Sequence, residues 1–515
     1  MNEYNDKQMI NKMSKIIITV TVIIIFAFVI TAIIAIIVSK KNSVNNNNQL
    51  QNEVNSYFSD DVQTEEISHE NIVDDSTITL NKSYGKVDVV FVDENNQIIA
   101  NPEKPQLGNN LTPVKYNESS YKFEKTNSDD NSWYNYSNKQ WANAVDENGN
   151  YFVWIPRFAY KITYYSSSTY THKVGYSDSR GILAINENDP NTLTRISHNS
   201  SGLQETGNHY IVEPAFMNDT LNSYRNGGWS SNIKGFWVAK YEVSIEGENT
   251  NSSTSQSSNI LSGANEVNNT NTINTNVIIS DTIKLASKPC VTSWRNIDIG
   301  NAYYNSYNFN RGLNSHLMKN TEWGAIAYLA YSKYGSDTYK ISNNNSREYI
   351  TGGSKIESEV YNVNKNETTT QNVYGIYDLS GGASEFVTSF INNSNQYLSS
   401  GKTGAGYMLD VISNTQYKTI YSNTQEEQQY NEKNATLNYR ANSLKRGDAI
   451  FETSNNGYQN TSWNTNSSFY MQYDVPFMIR GGTYADPISA GLFNYSSCNG
   501  QANVSEGYRV CLVIE

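Results

Sequence analysis

Between Ile16 and Val38 the chain carries no charged residue and consists almost wholly of Ile, Val, Ala, Phe and Thr. At ~1.5 Å per residue this stretch makes a helix ~34 Å long, enough to cross a hydrocarbon core of ~30 Å. Lys12 and Lys15 stand before it, Lys40 and Lys41 after it. The run is longer than the apolar region of a cleavable signal peptide, and Ser39-Lys40-Lys41 offers no small-residue cleavage site. A transmembrane helix over 16–38 is therefore expected. Lys7, Lys12 and Lys15 against Lys40 and Lys41 give a slight positive-inside bias, which places 1–15 in the cytoplasm and the remainder outside the cell membrane.

The pattern then changes. Residues 39–84 are polar and acidic, with asparagine at every position from Asn45 to Asn48, and read as a flexible tether. From Gly85 apolar positions alternate through Lys86–Asp93, a strand; Glu94-Asn95-Asn96 is a turn and Ile98-Ile99 the returning strand of a hairpin. A dense segment from Trp133 to Ile162 holds a turn at Asp146–Gly149 and a strand over Tyr151–Ile155, stopped by Pro156. Gly235–Val243 is a further aromatic and β-branched strand. Trp323, Ile326, Ala327 and Ala330 recur at helical spacing, with Thr321 as a candidate cap and Gly335 as the end. Polar inserts over 245–280, 336–370 and 391–470 read as long surface loops. Many short strands, few helices and long loops predict an α+β domain.

Composition narrows the function. Only 17% of residues are charged, and tyrosine outnumbers phenylalanine 39 to 16. A net charge of −12 argues against a nucleic-acid partner, which demands clustered Lys and Arg. Three cysteines (Cys290, Cys498, Cys511) cannot form a disulfide framework, although one Cys498–Cys511 bridge stays open. The five histidines are scattered singly; His316, at the start of the helix, is expected to cap or pack. No metal-binding His or Cys pair, phosphate-cradling glycine loop or nucleophile elbow is present, so no metal or other cofactor is expected.

Four segments in order resemble the formylglycine-generating enzyme (sulfatase-modifying factor) family, whose fold is a variant of the C-type lectin fold. They are Gly235-Phe-Trp-Val-Ala-Lys-Tyr-Glu-Val-Ser244; Lys288-Pro-Cys-Val-Thr-Ser-Trp294 with His316-Leu-Met-Lys-Asn-Thr-Glu-Trp323; Asn372-Val-Tyr-Gly-Ile-Tyr-Asp-Leu-Ser-Gly-Gly-Ala-Ser-Glu-Phe386; and Arg480-Gly-Gly-Thr-Tyr484 with Gly507-Tyr-Arg-Val510. The resemblance covers roughly 211–515. The stretch 85–210, with Trp154-Ile-Pro-Arg157, resembles an extension of bacterial surface proteins of this fold. The family resemblance implies structural roles for Trp323, Glu322, Asp378, Gly381, Glu385, Arg480, Gly481, Gly482 and Arg509. Gly375, Gly381, Gly382, Gly481 and Gly482 fall where turns need positive φ or close approach. Arg480 and Arg509 are expected to pair with buried carboxylates such as Asp378, Glu322 or Glu385.

The family's catalysts use two copper-binding cysteines shortly after the Arg-Gly-Gly element. Here Asp486 and Gly491 occupy the matching positions, which implies a non-catalytic member. Related folds often carry calcium, but no calcium-loop spacing is present. In relatives, including the variable proteins of diversity-generating retroelements, the segment between the last two motifs contacts ligand. The resemblance thus implies a ligand-binding surface of Tyr484, Asp486, Phe493, Asn494, Tyr495, Ser496, Asn499, Gln501 and Asn503, chemistry also used in antibody loops. The expected function is an adhesin-like recognition protein at the cell surface, binding a glycan or protein ligand. Two alternatives stay open: an enzyme or accessory factor of the family with displaced cysteines, and a structural, pseudopilin-like surface component.

Overall fold

The computed structural model describes residues 85–515, apart from 109, 165–181, 187–188, 197–208, 219–227, 248–277, 282, 400–414 and 444. The expected membrane helix at 16–38 and the tether lie outside the described residues. Among the described residues, no helix is long and apolar enough to cross a membrane.

The first strand, Gly85–Val92, buries alternate positions, with Val87, Val89 and Phe91 inward, the period-2 signature of a half-buried strand. The Asp93 carboxylate accepts from the backbone N–H groups of Asn95 and Gln97, closing the expected turn. The chain returns antiparallel along Ile98–Ile99. On its other edge the strand pairs antiparallel with Phe158–Tyr164, Phe91 opposite Phe158.

Pro156 redirects the chain rather than stopping it. Tyr151–Pro156 belongs to a seven-stranded sheet, and one residue later Phe158–Tyr164 has joined a six-stranded one. Arg157 occupies the corner, almost fully buried, its guanidinium donating to the Phe216 carbonyl and to Asn96 Oδ1. In the seven-stranded sheet Gly235–Ala239 lies between Tyr151–Pro156 and the C-terminal strand Val510–Leu512, with Trp154 opposite Trp237 and Trp237 opposite Leu512. The segments 85–210 and 211–515 are joined by this sheet. The expected strand over Gly235–Val243 is broken: pairing ends at Ala239 and resumes at Ser244–Gly247. The break falls at buried Lys240, whose ammonium donates to Asn143 Oδ1 and the carbonyls of Val373 and Gly375.

Four α-helices are present among the described residues: α1 (Ile299–Phe309), α2 (Asn320–Ala330), α3 (Glu357–Asn362) and α4 (Glu432–Ala441). Helix α2 is the predicted one and is buried on every face, as a helix apolar around most of its circumference must be. Its cap differs from expectation. Thr321 lies inside the first turn, and the Glu322 carboxylate reaches back to the Lys319 backbone N–H at 2.8 Å. Helix α1, capped by Asp298, was not expected, because Tyr and Asn alternate along it.

The polar inserts are not all surface loops. Ile341, Asn344, Val360 and Thr369 of the second are buried, as are Asn434, Tyr439, Phe451 and Trp463 of the third. The fold is a mixed α+β architecture, rich in sheet and loop and poor in helix.

Candidate functional site

Burial without water forces polar groups to find partners inside the protein, and three such groups fix the loops of the C-terminal half. At the first, Arg509 donates to the Glu385 carboxylate at 2.6 Å through its Nη2, and to the carbonyls of Ala239 and Tyr377 at 2.8 and 2.9 Å. Asp378, at φ +65°, accepts from Asn344 Nδ2 and the Gly352 N–H, both at 2.8 Å. Glu242 accepts from the Ala383 N–H at 2.8 Å. Burial, with Asp378 and Glu385 close by, pushes the Glu242 carboxyl well above its ordinary range. Gly382 runs at φ +66° directly over that carboxyl, where a Cβ would collide with Oε1.

The second is Arg480. It does not pair with Asp378, Glu322 or Glu385. Instead its guanidinium donates to Asn320 Oδ1 at 2.6 Å and to the carbonyls of Asp448, Ala449, Leu492 and Asn494. A planar fork with five donors can satisfy a loop's carbonyls as well as a carboxylate. Trp323 completes the arrangement, its indole N–H donating to the Leu492 carbonyl and its ring facing Gly481, which is at φ +85°. Gly381 and Gly482 also take positive φ, whereas Gly375 is required by its close approach to Thr370.

The third is a buried cluster of His316, Glu322, Lys319 and Cys511. His316 Nε2 lies 2.9 Å from Glu322, and its Nδ1 lies 2.6 Å from the Asn314 carbonyl, so Nδ1 carries a proton. Burial raises the Glu322 carboxyl, but His316 and Lys319 outweigh it and hold the group below its ordinary value. The donor atoms of His316, Glu322 and Cys511 lie within 4.8 Å of one another, a set that could hold a soft divalent ion. Each already has a protein partner, so the cluster closes on itself as an ion-pair network.

The nine residues expected to contact ligand divide sharply. Phe493, Asn494 and Tyr495 belong to the strand Gly491–Cys498 and are buried. Phe493 packs on Trp463 and Tyr331, and the Tyr495 hydroxyl bonds Ser454 Oγ and the Asn456 carbonyl. Asn494 donates to the Ser489 carbonyl. These three build the core beneath the loop. Ser496, in the same strand, is half-buried. The Asp486 carboxylate closes a turn by accepting from the Thr483 N–H and hydroxyl, and Asn503 does the same for Ser505. Asn499 bonds Gln501, which is exposed.

Tyr484 is half-buried at the surface, its backbone N–H held by the Gly382 carbonyl at 2.9 Å. Its ring meets Tyr349 edge-on at 4.9 Å, and Tyr349 in turn carries the Arg295 guanidinium 3.6 Å from its centroid. Arg295 also donates to the Val504 carbonyl, which ties the 499–505 loop to the same stack. Burial lowers the Arg295 pKa to about 10, still charged near neutrality. Neither Arg295 nor Tyr349 was anticipated. Arg295 follows immediately on the Lys288–Trp294 motif, and an arginine adjoining a motif tryptophan was the available signal.

All three cysteines are free and buried, so the bridge left open between Cys498 and Cys511 is not formed. Burial pushes the Cys290 thiol up to about 12 and raises those of Cys498 and Cys511 as well. No family model matches this chain, and no curated protein shows significant similarity to it.

Proposed function

We propose that the chain is a membrane-anchored, extracellular recognition protein on a formylglycine-generating-enzyme-like variant of the C-type lectin fold, and that it binds ligand rather than catalysing a reaction. The fold reading is supported by convergence of the four motif segments. Tyr377 and Glu385 of the third meet Arg509 of the fourth, which also holds Ala239 of the first. Trp323 of the second lies against Gly481 of the fourth. A non-catalytic role is supported by Asp486 and Gly491 at the family's cysteine positions and by thiols held in the protonated form, poor as nucleophiles and as metal ligands.

The observation that carries the recognition reading is the Arg295–Tyr349–Tyr484 stack. A tyrosine whose ring packs edge-on against Tyr349, itself backed by Arg295, offers amphipathic contact area at low entropic cost, the property of a binding anchor. Binding to glycan and surface-protein arrays, compared between the native chain and Tyr484→Ala, tests it. Loss of a specific signal by at least about tenfold in the variant, with unchanged thermal unfolding, is expected. Equal binding by both proteins would remove Tyr484 as the anchor. Loss on Cys498→Ser or Cys511→Ser instead, with turnover of a thiol substrate, would favour the enzymatic alternative.

A further inference from the structure

A concave feature lies in the N-terminal segment and shares no residue with the Tyr484 surface. An open cleft of about 550 Å³ is enclosed by the stretch after Ile98–Ile99, by the loop around Asp130 and by the turn through Tyr136. Its volume falls in the range of small-molecule sites, ~300–1,000 Å³.

The walls are fixed from behind. Trp133 and Tyr136, both buried, donate to the carbonyls of Asn143 and Trp154 at 2.8 and 2.7 Å. Asp130 gathers its loop by accepting from Thr126, Ser132 and Lys115. Those hydrogen bonds, from Ser132 first, hold its carboxyl well below the usual carboxylate range. Such a site is preorganised, so little ordering cost is left to binding.

Charge in the cleft is balanced. Asp129 meets Lys104 at 2.9 Å and Asp130 meets Lys115 at 3.1 Å. Each carboxylate at the cleft therefore has a lysine partner, and no unpaired charge is set out for an ionic ligand. What remains for a ligand is neutral: the side-chain amides of Asn101 and Asn131 and the hydroxyls of Tyr134 and Ser137 line the cleft, and none makes a hydrogen bond among the described residues. Amides and hydroxyls supply donors and acceptors together, as vicinal hydroxyls demand. Tyr134 is half-buried and meets Trp133 and Tyr136 in edge contacts only, leaving an amphipathic ring in the wall.

We propose that this cleft binds a neutral oligosaccharide. The test uses the full chain in a detergent without a sugar headgroup, with N,N′-diacetylchitobiose, cellotriose and maltotriose as probes and a hyaluronan tetrasaccharide as the anionic control. Saturation-transfer NMR and calorimetry are expected to show binding of at least one neutral probe at or below about 10 mM. Asn131→Ala and Tyr134→Ala should each weaken it at least about tenfold, and Tyr484→Ala should leave it unchanged. Asn131 is exposed and its side chain bonds none of the described residues, so its replacement keeps the fold intact and the test decisive even should Tyr134→Ala unfold. Three outcomes overturn the proposal: no neutral probe binds, the anionic control binds as tightly, or Asn131→Ala binds as the native chain does. Loss of the Tyr484 surface leaves it standing.

Discussion

Arg509 reaches Glu385 at 2.6 Å in a site closed to solvent on both sides. The pair ties the C-terminal strand to Ser384–Ile391, while the remaining guanidinium donors hold Ala239 and Tyr377. Removing one partner strands the other, and broken buried pairs cost about 3–5 kcal/mol. Glu385→Ala is expected to lower stability by that amount in urea unfolding. Replacing both, as Arg509→Met with Glu385→Leu, removes the stranded charge but orphans two carbonyls at about 1–3 kcal/mol each. The double variant should therefore stay below the native stability. Full recovery would mean that the two carbonyls contribute nothing.

The Arg509–Glu385 pair was within reach of the sequence because both ends lie in motifs and the short list of buried carboxylates included the right one. Arg480 was not, since its partners are mostly backbone carbonyls, which carry no residue signature. The hairpin at Gly85–Ile99 and helix α2 followed from periodicities of 2 and 3.6 over apolar residues. Helix α1 did not, because its buried face is made of Ile299, Ala302, Tyr303 and Asn305, a pattern that reads as polar. The surface was harder still. Phe493 and Tyr495 looked like ligand contacts from their place in the chain, but strand alternation and the Trp463 ring turn them inward. Partner choice across an aromatic stack depends on distant segments, so Tyr349 gave no local sign, and Arg295 gave only its place beside the motif tryptophan Trp294.

Gly324 sits inside α2, where alanine has the better helix propensity by about 1 kcal/mol. Packing reverses the sign here. A Cβ on Gly324 would fall on the Gly447 carbonyl and the Asp448 Cα, backbone atoms held in place by Arg480 and Glu452. Overpacking of this kind costs about 1–3 kcal/mol, and backbone yields less readily than a side chain. Gly324→Ala is expected to lower the melting temperature by several degrees. A rise would show that the Gly447 loop moves freely.

Arg480→Lys keeps the charge and loses the fork. A lysine has three donors at one point and cannot serve five acceptors spread over Asn320 and four carbonyls. With at least two buried acceptors unpaired, the loss is expected at about 2–5 kcal/mol. Calorimetry of the variant checks this. The same experiment should show a smaller effect for Lys433→Arg, an exposed pair with Glu427.

Stability should fall as pH rises from acid to neutral, and two carboxyls give the reason. Burial raises Glu506 and Glu367 from an ordinary 4.5 to about 8 each. In the unfolded chain they ionise near 4.5, so between about 4.5 and 8 the folded state binds more protons than the unfolded one. The contribution is therefore fully present below 4.5 and is lost on passing through about 8, at up to about 1.4 kcal/mol per pH unit for each group. Glu506→Gln keeps a neutral, isosteric side chain and removes one of the two titrations. Urea midpoints of the variant and native chain measured from pH 5 to 8 should diverge steadily, the variant losing less. Parallel curves would place the Glu506 carboxyl in water.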